Sequence, residues 1–585
     1  LTLVERAFMS IRCLCVGLTL SLLTSSISAQ SKAPLKINSV SIGFQGSYWR
    51  PGAWNPVRIN VEAGDQPVDQ RDVLLGVESV DPEGAASRML VPFPRTLQAK
   101  EKATIQILAR IGNASGSVTL RLQYKGKTIQ TVKKSAETDA VGMEASSRFY
   151  LTLLARNQEL KTALTTAKNN KEQTIAELGR TFASIEQPSM LPRQWYGYDA
   201  VDVVIMPTSR ELMDALSSNE EAAQALAEWV QRGGRLVVFV GQNYQLAQKW
   251  LRSLIHCKMS GTLTVPGFTS LKKWSRAELS SEIMGQAEVA KLEPGLGVTT
   301  LVTEEKTPIL VKAPVGRGQV LLTAFDLEST AFQKWPAQQS FWKRVAESVE
   351  PRRPIASIDP RSRRFGGQMN DEIASDLQRG LEHFDEVPVI SFGWIALFIL
   401  IYILIIGPVE YLVLKKLFKR LELTWITFPI VVIAISIGAY FLAYAIKGND
   451  LRINKVDVVD IDLHHNSVQG TTWVTLFSPR IQTWTIGVNP TWGKSSNQKP
   501  SVLLSPMNAP DNSLGGSQRP GGSSIFRSPY EITEDGSGLK SVPIPVWAAR
   551  TFQASWQRPS SAGTLIEHTL RPAKDNPSLI RGTIT

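Results

Sequence analysis

Cysteine and histidine are scarce in this chain, which has three cysteines and five histidines among 585 residues. Cys13 and Cys15 lie in an apolar N-terminal segment, so Cys257 is the one thiol in the rest of the sequence. A lone thiol cannot form an internal disulfide, and this excludes a disulfide-stapled scaffold. Hydrophobic cores must therefore hold the folded parts together.

Sequence signals for nucleic acids and nucleotides are also missing. The net charge is +12, but the basic residues are spread along the chain and no aromatic-rich basic motif accompanies them. Gly316 and Gly318 lie in a predicted hairpin rather than before a helix, which excludes a phosphate-binding loop. We predict no nucleic-acid partner and no cofactor. Five arginines within 352–364 are expected to meet anionic lipid headgroups.

Two long apolar runs, 390–414 and 423–446, are each long enough to cross a hydrocarbon core as a helix. The short connection at 415–422 carries four basic residues, a pattern typical of cytoplasmic loops. We predict a two-helix hairpin in the cytoplasmic (inner) membrane, with its loop in the cytoplasm. The large regions before and after it are then expected to share the extracytoplasmic side.

Glu410 is the one ionisable residue well inside a predicted span. Intramembrane carboxylates are costly and often functional, so a role in transport is one interpretation. Glu410 also lies five residues before Lys415, within reach of the headgroups. Snorkelling or pairing between the two helices is the favoured interpretation.

The N-terminal 29 residues resemble a secretory signal peptide. From Met9 onward, Arg12 provides a positive charge, 13–23 an apolar core, and 27–29 a small-residue cleavage site. We predict cleavage after Ala29, with a retained signal anchor as the alternative.

Short alternating β-type runs fill 33–135, separated by turn residues such as Pro51-Gly52, and predict a β-sandwich. Trp49 and Trp54 are interpreted as packing residues rather than a ligand platform. Asn113 begins a glycosylation-acceptor pattern of low specificity.

An α/β domain is predicted over 145–350. Near-continuous apolar strands at 198–206 and 235–241 flank a helix that ends at Gly233-Gly234, which is typical of parallel packing. A hairpin at 307–327 and a helix at 340–349 complete it.

Three short motifs in the predicted α/β domain resemble those of a known family. The run from Asp199 to Ile205, the Trp229–Gly234 region and Gly316-Arg317-Gly318 are similar to class I glutamine-amidotransferase-like domains. Such domains occur in large bacterial membrane proteins of uncertain function, whose hairpins resemble the one in this chain. Those proteins often have Asn at the position of Glu410. The resemblance covers about 145–480.

Active members of that family place a nucleophilic cysteine on a strand-to-helix turn, with a His-x-Glu motif farther on. Here the strand at 235–241 leads into Gln242 and Asn243, without a cysteine or serine. Cys257 adjoins His256, but neighbouring side chains point in different directions. We therefore predict no enzymatic activity. The alternative is an envelope hydrolase or amidotransferase-like enzyme with a site at Gln242, Asn243, His256 and Asp326.

One stretch has metal-ligand chemistry: Asp460, Asp462 and His464 alternate on a predicted strand, and His465 follows. Imidazole and carboxylate ligands suit zinc or manganese. An exposed polar strand face is the favoured interpretation, so no metal site is predicted.

The 351–386 segment is predicted to be a linker followed by an amphipathic helix with Met369, Ile373, Leu377 and Leu381 on one face. Its acidic character favours packing on the α/β domain over lying on the bilayer. Residues 450–585 predict a second β-domain, interrupted by a disordered Gly/Ser/Pro-rich insert at 490–541.

The predicted fold class is therefore multidomain α/β plus all-β with two transmembrane helices. A membrane-anchored cell-envelope protein with non-catalytic interaction or scaffold domains is the function it favours. The expected partners are the lipid bilayer and other envelope or membrane proteins.

Overall fold

The computed structural model describes residues 34–45, 48–81, 84–112, 117–135, 141–143, 147–155, 158–165, 179–278, 281–350, 371–384, 392–447, 450–462, 467–490, 500–507, 529–559, 569–572 and 580–583. The predicted signal peptide, the arginine-rich segment at 352–364, Asn113 and the two histidines at 464 and 465 lie outside these residues.

Among the described residues up to position 143, nine strands fall mainly into two sheets. They are β1 (Leu35–Ile42), β2 (Tyr48–Trp49), β3 (Trp54–Ala63), β4 (Val73–Val80), β5 (Ala86–Pro92), β6 (Lys102–Arg110), β7 (Ser117–Tyr124), β8 (Lys127–Ser135) and β9 (Val141–Gly142). Strands β1, β3 and β6 form an antiparallel sheet, and β5, β4, β7 and β8 lie in a second one. Inward-facing residues of both sheets, such as Val57 and Leu120, belong to one core.

The next part of the chain alternates strands with helices. Its strands are β10 (Arg148–Leu153), β11 (Arg180–Ile185), β12 (Val203–Pro207), β13 (Arg235–Phe239), β14 (Cys257–Val265), β15 (Ala287–Pro294), β16 (Thr299–Glu304), β17 (Thr307–Val315) and β18 (Gly318–Thr323). Its helices are α1 (Gln158–Thr165), α2 (Arg210–Ser218), α3 (Glu220–Gln231), α4 (Tyr244–Leu251), α5 (Thr269–Trp274), α6 (Thr330–Gln333) and α7 (Gln338–Val349).

Seven of these strands form one sheet in the order β11-β10-β12-β13-β18-β17-β16. The first five are parallel. The predicted hairpin is β17 and β18, which pair in antiparallel fashion, and β16, which was not predicted, adds antiparallel to β17. Strands β12 and β13 are buried almost throughout because helices cover both faces of such a sheet. The predicted mixture of α/β and β-rich regions is confirmed.

The predicted hairpin consists of two helices. The first, α9 (Phe392–Lys416), has a π-helical turn at Ile405–Val409, where Pro408 removes a backbone donor. The second, α10 (Thr424–Lys447), contains Pro429 near its start. Both are long and apolar enough to span a membrane, and neither apolar stretch is buried by the protein. These helices begin and end within two residues of the predicted limits.

After the hairpin, the described residues contain β19 (Arg452–Asp462), β20 (Ser467–Ser478), β21 (Gln482–Gly487), β22 (Ser501–Pro506), β23 (Tyr530–Ile532), β24 (Gly538–Ile544), β25 (Ala548–Pro559), β26 (Arg571–Pro572) and β27 (Ile580–Arg581). Strands β19, β20, β25 and β22 form the C-terminal sheet. The prediction of a disordered insert at 490–541 is wrong in part. β22, β23 and the start of β24 lie within it because apolar residues such as Leu504 and Leu539 enter a core.

Strands from both sides of the hairpin share one long sheet, β21-β24-β23-β5-β4-β7-β8. Strand β23 pairs in parallel with β5, so that Tyr530 lies opposite Ser87. Beside this pairing, Arg550 forms a buried ion pair with Asp81, whose second carboxylate oxygen accepts from the backbone N–H of Ala85. We call this contact region the sheet junction. It joins two parts of the chain that were predicted as separate domains.

A second contact, the arginine junction, joins the C-terminal sheet to the α/β region. Arg232 at the end of α3 donates to Ser555 Oγ at 3.0 Å and to the Ser501 carbonyl at 3.2 Å. Arg317, in the β17–β18 turn, pairs with Asp460 and donates to Thr471 Oγ1. Since strands and side chains pair across both junctions, the regions before and after the hairpin lie on one side of any membrane that it spans.

The amphipathic helix predicted before the membrane is α8 (Asp371–Glu382). It packs on protein as favoured, but on the C-terminal sheet instead of the α/β domain. Leu381 is buried, and Asn454 of β19 donates to the carbonyls of Leu381 and His383. Phe384 contacts Phe477 of β20. This helix therefore docks the chain ahead of the hairpin on the C-terminal sheet.

Candidate functional site

The strand order of the parallel sheet locates a crevice at its carboxyl edge. The chain runs from β10 outward to β11 and then returns to β12 on the other side of β10. In doubly wound sheets, ligands bind outside the carboxyl ends of the strands where the order reverses in this way. For this chain that position is just beyond Leu153 and Pro207, the last residues of β10 and β12.

A cavity of about 120 Å³ lies at this position. Its buried wall comes from β10, β12, α1 and α7, through Thr152, Ile205, Leu160 and Trp342. The remaining lining residues are Ala155, Glu159, Leu327, Glu328, Gln333 and Gln338. The cavity thus combines an apolar wall with two carboxylates and two amides, a mixture typical of small-molecule sites.

Helix α7 is held against the sheet at its far end by a partly buried cluster of polar side chains. The Tyr150 hydroxyl donates to Glu350 at 2.5 Å, and Arg180 donates to both oxygens of the same carboxylate at 2.8 and 3.2 Å. Burial, reinforced by the charge of Glu350, raises the pKa of Tyr150, so this phenol remains a hydrogen-bond donor. The cluster keeps α7, and with it Trp342, fixed beside β10.

Residues of the alternative enzyme site, Gln242 and Asp326, lie at a different turn on the same edge. Gly241 adopts a φ of +55°, and Asp326 packs so closely that a Cβ at Gly241 would lie 2.6 Å from its Cβ. Gln242 Nε2 donates to Glu288 Oε2 at 2.6 Å. Asp326 accepts from the backbone N–H of Glu328. Gly241 is therefore packed against Asp326, whereas the exposed side chain of Gln242 is hydrogen-bonded to Glu288.

Cys257 and His256 are not brought to that turn. Cys257 is the first residue of β14. Thr264, seven residues later on the same strand, lies opposite Glu288, and Glu288 is the residue that accepts the hydrogen bond from Gln242. Seven residues of strand span roughly 20 Å. Burial also raises the pKa of Cys257 to about 11, which keeps the thiol protonated at neutral pH. The structure separates the four residues of the alternative site into two groups.

On β19, one of the residues with metal-ligand chemistry is engaged in an ion pair instead. Asp460 forms its ion pair with Arg317 in the arginine junction. In the part of the chain that the structure describes, no group of three or more His, Cys, Asp or Glu residues has the spacing to hold a metal ion.

The glycine motifs that carry the family resemblance have packing roles. Gly234 lies directly beneath the Trp229 ring, and Gly316 and Gly318 approach the carbonyls of Gln231 and Val230 too closely for any side chain. These glycines bring the β17–β18 turn against the end of α3. As a result, Arg232 and Arg317 are presented together to the C-terminal sheet.

The two tryptophans near the N terminus are packing residues, as favoured by the sequence. Trp49 and Trp54 are almost completely buried. Trp54 contacts the Tyr196 ring edge-on, and its backbone N–H donates to Asp199 Oδ2 at 3.0 Å. Burial raises the pKa of Asp199. These contacts dock the first strands onto the α/β region and leave no aromatic platform.

Glu410 pairs the two helices of the hairpin. It is buried between them, and the Thr427 hydroxyl of α10 donates to its Oε1 at 2.6 Å. This agrees with the favoured interpretation of helix pairing. Polar contacts between membrane helices are often placed in this way, because a lone polar group in hydrocarbon is costly.

Comparisons with known proteins give little beyond this geometry. No protein-family model matches the chain, and no curated protein matches it in sequence. Among solved structures, a cytoplasmic protein from Salmonella typhimurium is similar at 12% identity, covering 35% of this chain and 100% of its own, with a TM-score of 0.27. Another from Salmonella typhimurium LT2 has 14% identity, 35% and 100% coverage, and a TM-score of 0.26. An exo-β-1,4-mannosidase from Opitutaceae bacterium strain TAV5 has 17% identity, 36% and 37% coverage, and a TM-score of 0.24. TM-scores this low do not establish a shared fold.

Proposed function

We propose that this chain is a membrane-anchored cell-envelope protein whose extracytoplasmic domains bind another protein, a peptide or a glycan without catalysis. The observation that carries the proposal is the long sheet shared by strands from both sides of the hairpin. Such pairing makes the two flanking regions one body on one side of the bilayer. A rigid body anchored by a short hairpin is suited to holding a partner at the membrane.

The charge of the hairpin loop supports the extracytoplasmic position of this body. Lys415, Lys416, Lys419 and Arg420 lie where the two helices of the hairpin are connected, and positive charge favours the cytoplasm. At the opposite end, Tyr444 of α10 contacts Trp547 of the C-terminal region. Aromatic side chains favour the membrane–water interface. The amidotransferase-like assignment of 145–350 remains part of this proposal and rests on the sequence motifs.

The separation of Cys257 from Gln242 supports a non-catalytic role over the hydrolase or amidotransferase-like alternative. A buried thiol with a pKa of about 11 is a poor nucleophile at neutral pH. The distance between Cys257 and the turn at Gly241 is a second, separate argument against catalysis by this thiol. Binding rather than turnover is therefore the activity that the geometry supports best.

A membrane-impermeant amine-reactive crosslinker, added to intact cells or spheroplasts that express the tagged full-length protein, tests the proposal. We expect a stoichiometric partner to be captured, with reaction at the exposed lysines Lys249 and Lys540. Lys416 and Lys419, also exposed, should react only after permeabilisation. Modification of the loop lysines in intact cells would contradict the orientation. A solitary protein that hydrolyses amide or ester substrates would contradict the binding role.

A further inference from the structure

One end of the C-terminal sheet lies close to the hairpin because the chain that connects them is short. Helix α10 ends at Lys447, and β19 begins at Arg452. Five residues of chain span at most about 18 Å. Arg452 lies opposite Phe477 of β20, and Phe477 lies opposite Ala549 of β25. The ends of three neighbouring strands are therefore held near the last turn of α10.

Two turns at this end of the sheet reach α10. Residues 479–481 connect β20 to β21, and residues 545–547 connect β24 to β25. The backbone N–H of Trp547 donates to the last carbonyl of β20 at 2.7 Å, which ties the two turns together. The Trp547 ring contacts Tyr444 of α10, and Arg480 lies within electrostatic range of the same tyrosine. We call 479–481 and 545–547 the paired turns.

The paired turns and the neighbouring strand end leave apolar side chains uncovered. Ile481 is 71% exposed. Leu451, just before β19, and Ile453 within it are 36% and 56% exposed. Apolar side chains gain free energy when they leave water, and several of them at one end of a domain indicate a surface that meets another apolar phase.

The position of Tyr444 favours lipid as that phase. The apolar stretch of α10 ends at Ala445, one residue after Tyr444. Tyr440, one helical turn earlier, is 56% exposed. Tyrosine and tryptophan favour the boundary between headgroups and acyl chains. Since Trp547 contacts Tyr444, the paired turns lie at the depth where the apolar surface of α10 ends.

We propose that the paired turns insert into the headgroup layer of the bilayer that holds the hairpin, with Ile481 reaching the acyl chains. This second contact with lipid fixes the tilt of the folded body relative to the membrane. It rests on the membrane anchoring of the proposed function, but it requires no protein partner.

Lipid quenching of a fluorophore at position 481 tests the proposal. The full-length Ile481→Cys variant, labelled with nitrobenzoxadiazole, is placed in nanodiscs of phosphatidylcholine and phosphatidylglycerol that contain lipids with a nitroxide on the headgroup. Leu296→Cys is the matched control, since Leu296 is 82% exposed in the α/β region. The unsubstituted protein, with Cys257 buried, gives the labelling background. We expect at least threefold more quenching at position 481 than at position 296.

Ile403→Cys separates failure of this proposal from failure of the membrane anchor. Ile403 is 61% exposed on α9, and lipids with a nitroxide on the acyl chain should quench a fluorophore there. Quenching at position 403 with equal quenching at 481 and 296 would overturn the insertion and leave the anchor intact. A fluorophore at 481 that is shielded from water but not quenched would also overturn it, because protein then covers the turn. Without quenching at 403, both proposals fail.

Ile481→Asp tests the inserted side chain itself. With the fluorophore at Thr483→Cys, an exposed position on β21, headgroup quenching should fall at least twofold, because a carboxylate is costly among acyl chains. Leu296→Asp is the matched control and should leave quenching at position 483 unchanged. Both variants should keep the melting temperature of the unsubstituted protein, since both side chains are exposed. Equal quenching at position 483 in the two variants would overturn the insertion of Ile481.

Discussion

The sheet junction and the arginine junction join the same C-terminal region to earlier parts of the chain, but their surroundings differ. At the sheet junction, Asp81 and Arg550 are 3% and 5% exposed. At the arginine junction, Arg232 is 6% exposed, whereas Arg317 and its partner Asp460 are 29% and 50% exposed. Water weakens the exposed pair of Arg317 with Asp460 and scarcely reaches the buried pair of Asp81 with Arg550. The same type of ion pair should therefore have very different effects when broken.

The largest effect is expected at the sheet junction. Asp81→Ala leaves the Arg550 guanidinium buried without its carboxylate and removes the acceptor of the Tyr530 hydroxyl at 3.1 Å. We expect a loss of about 3–5 kcal/mol in the free energy of unfolding. Chemical denaturation, with hydrogen exchange at Tyr530–Ile532 as a local readout, measures it.

Two further variants serve as controls for the effect of Asp81→Ala on stability. Asp72→Ala removes the carboxylate of a surface pair with Lys125 and should change stability little, because that lysine is mostly exposed. The double variant Asp81→Leu/Arg550→Met should recover part of the loss, since apolar residues can replace a buried ion pair but not the acceptor of Tyr530 and Ala85. If Asp81→Ala behaves like Asp72→Ala, the sheet junction does not depend on the buried pair.

An intermediate effect is expected at the inner part of the arginine junction. Arg232→Lys retains the positive charge but loses the forked donors that reach Ser555, Ser501 and Glu228. We expect a loss of about 1–2 kcal/mol and faster hydrogen exchange in Ser501–Pro506. Arg193→Lys is the matched control, since Arg193 is largely exposed and 3.9 Å from Glu221. Equal exchange in the two variants would contradict a role for the Arg232 fork.

The smallest effect is expected at the outer part of the arginine junction. Arg317→Ala removes an exposed pair with Asp460 and a 3.2 Å contact with Thr471. We expect a loss of about 0–1 kcal/mol, and a smaller loss at high salt because mobile ions screen exposed charges. Thermal unfolding in 0.05 M and 0.5 M sodium chloride provides the measurement. A loss larger than that of Arg232→Lys, or one that salt does not change, would reverse the order of the two arginines.

Local sequence was sufficient to predict those strands and helices whose hydrophobic pattern reflects their own burial. The apolar strands β12 and β13 and the helix α3 between them were predicted because burial on a parallel sheet requires continuous apolar runs. The strands within 490–541 were missed because β22 and β23 are short and polar residues surround them. The ion pair of Asp81 with Arg550 could not be predicted, because 469 positions separate the two residues.

Sequence reasoning named none of its candidate site residues from the lining of the cavity. It assigned importance to Gln242 and Cys257, which are chemically conspicuous, but the fold places them apart. Thr152 and Trp342 were missed because a threonine in an apolar strand and a tryptophan in an amphipathic helix are ordinary core residues. A parallel strand order, once recognised, would have directed attention to the ends of β10 and β12.

The sequence by itself determined the two long apolar helices, their limits and the basic loop between them, because the fit of a helix to hydrocarbon depends on local length and composition. Only the tertiary structure decided that β23 pairs with β5 and that the C-terminal sheet docks on Arg232 and Arg317. Strand pairing and buried ion pairs depend on which surfaces meet after folding, and residues hundreds of positions apart carry no local signal of that meeting. The cavity beside Thr152 arises in the same way, from elements that the chain brings together only when folded.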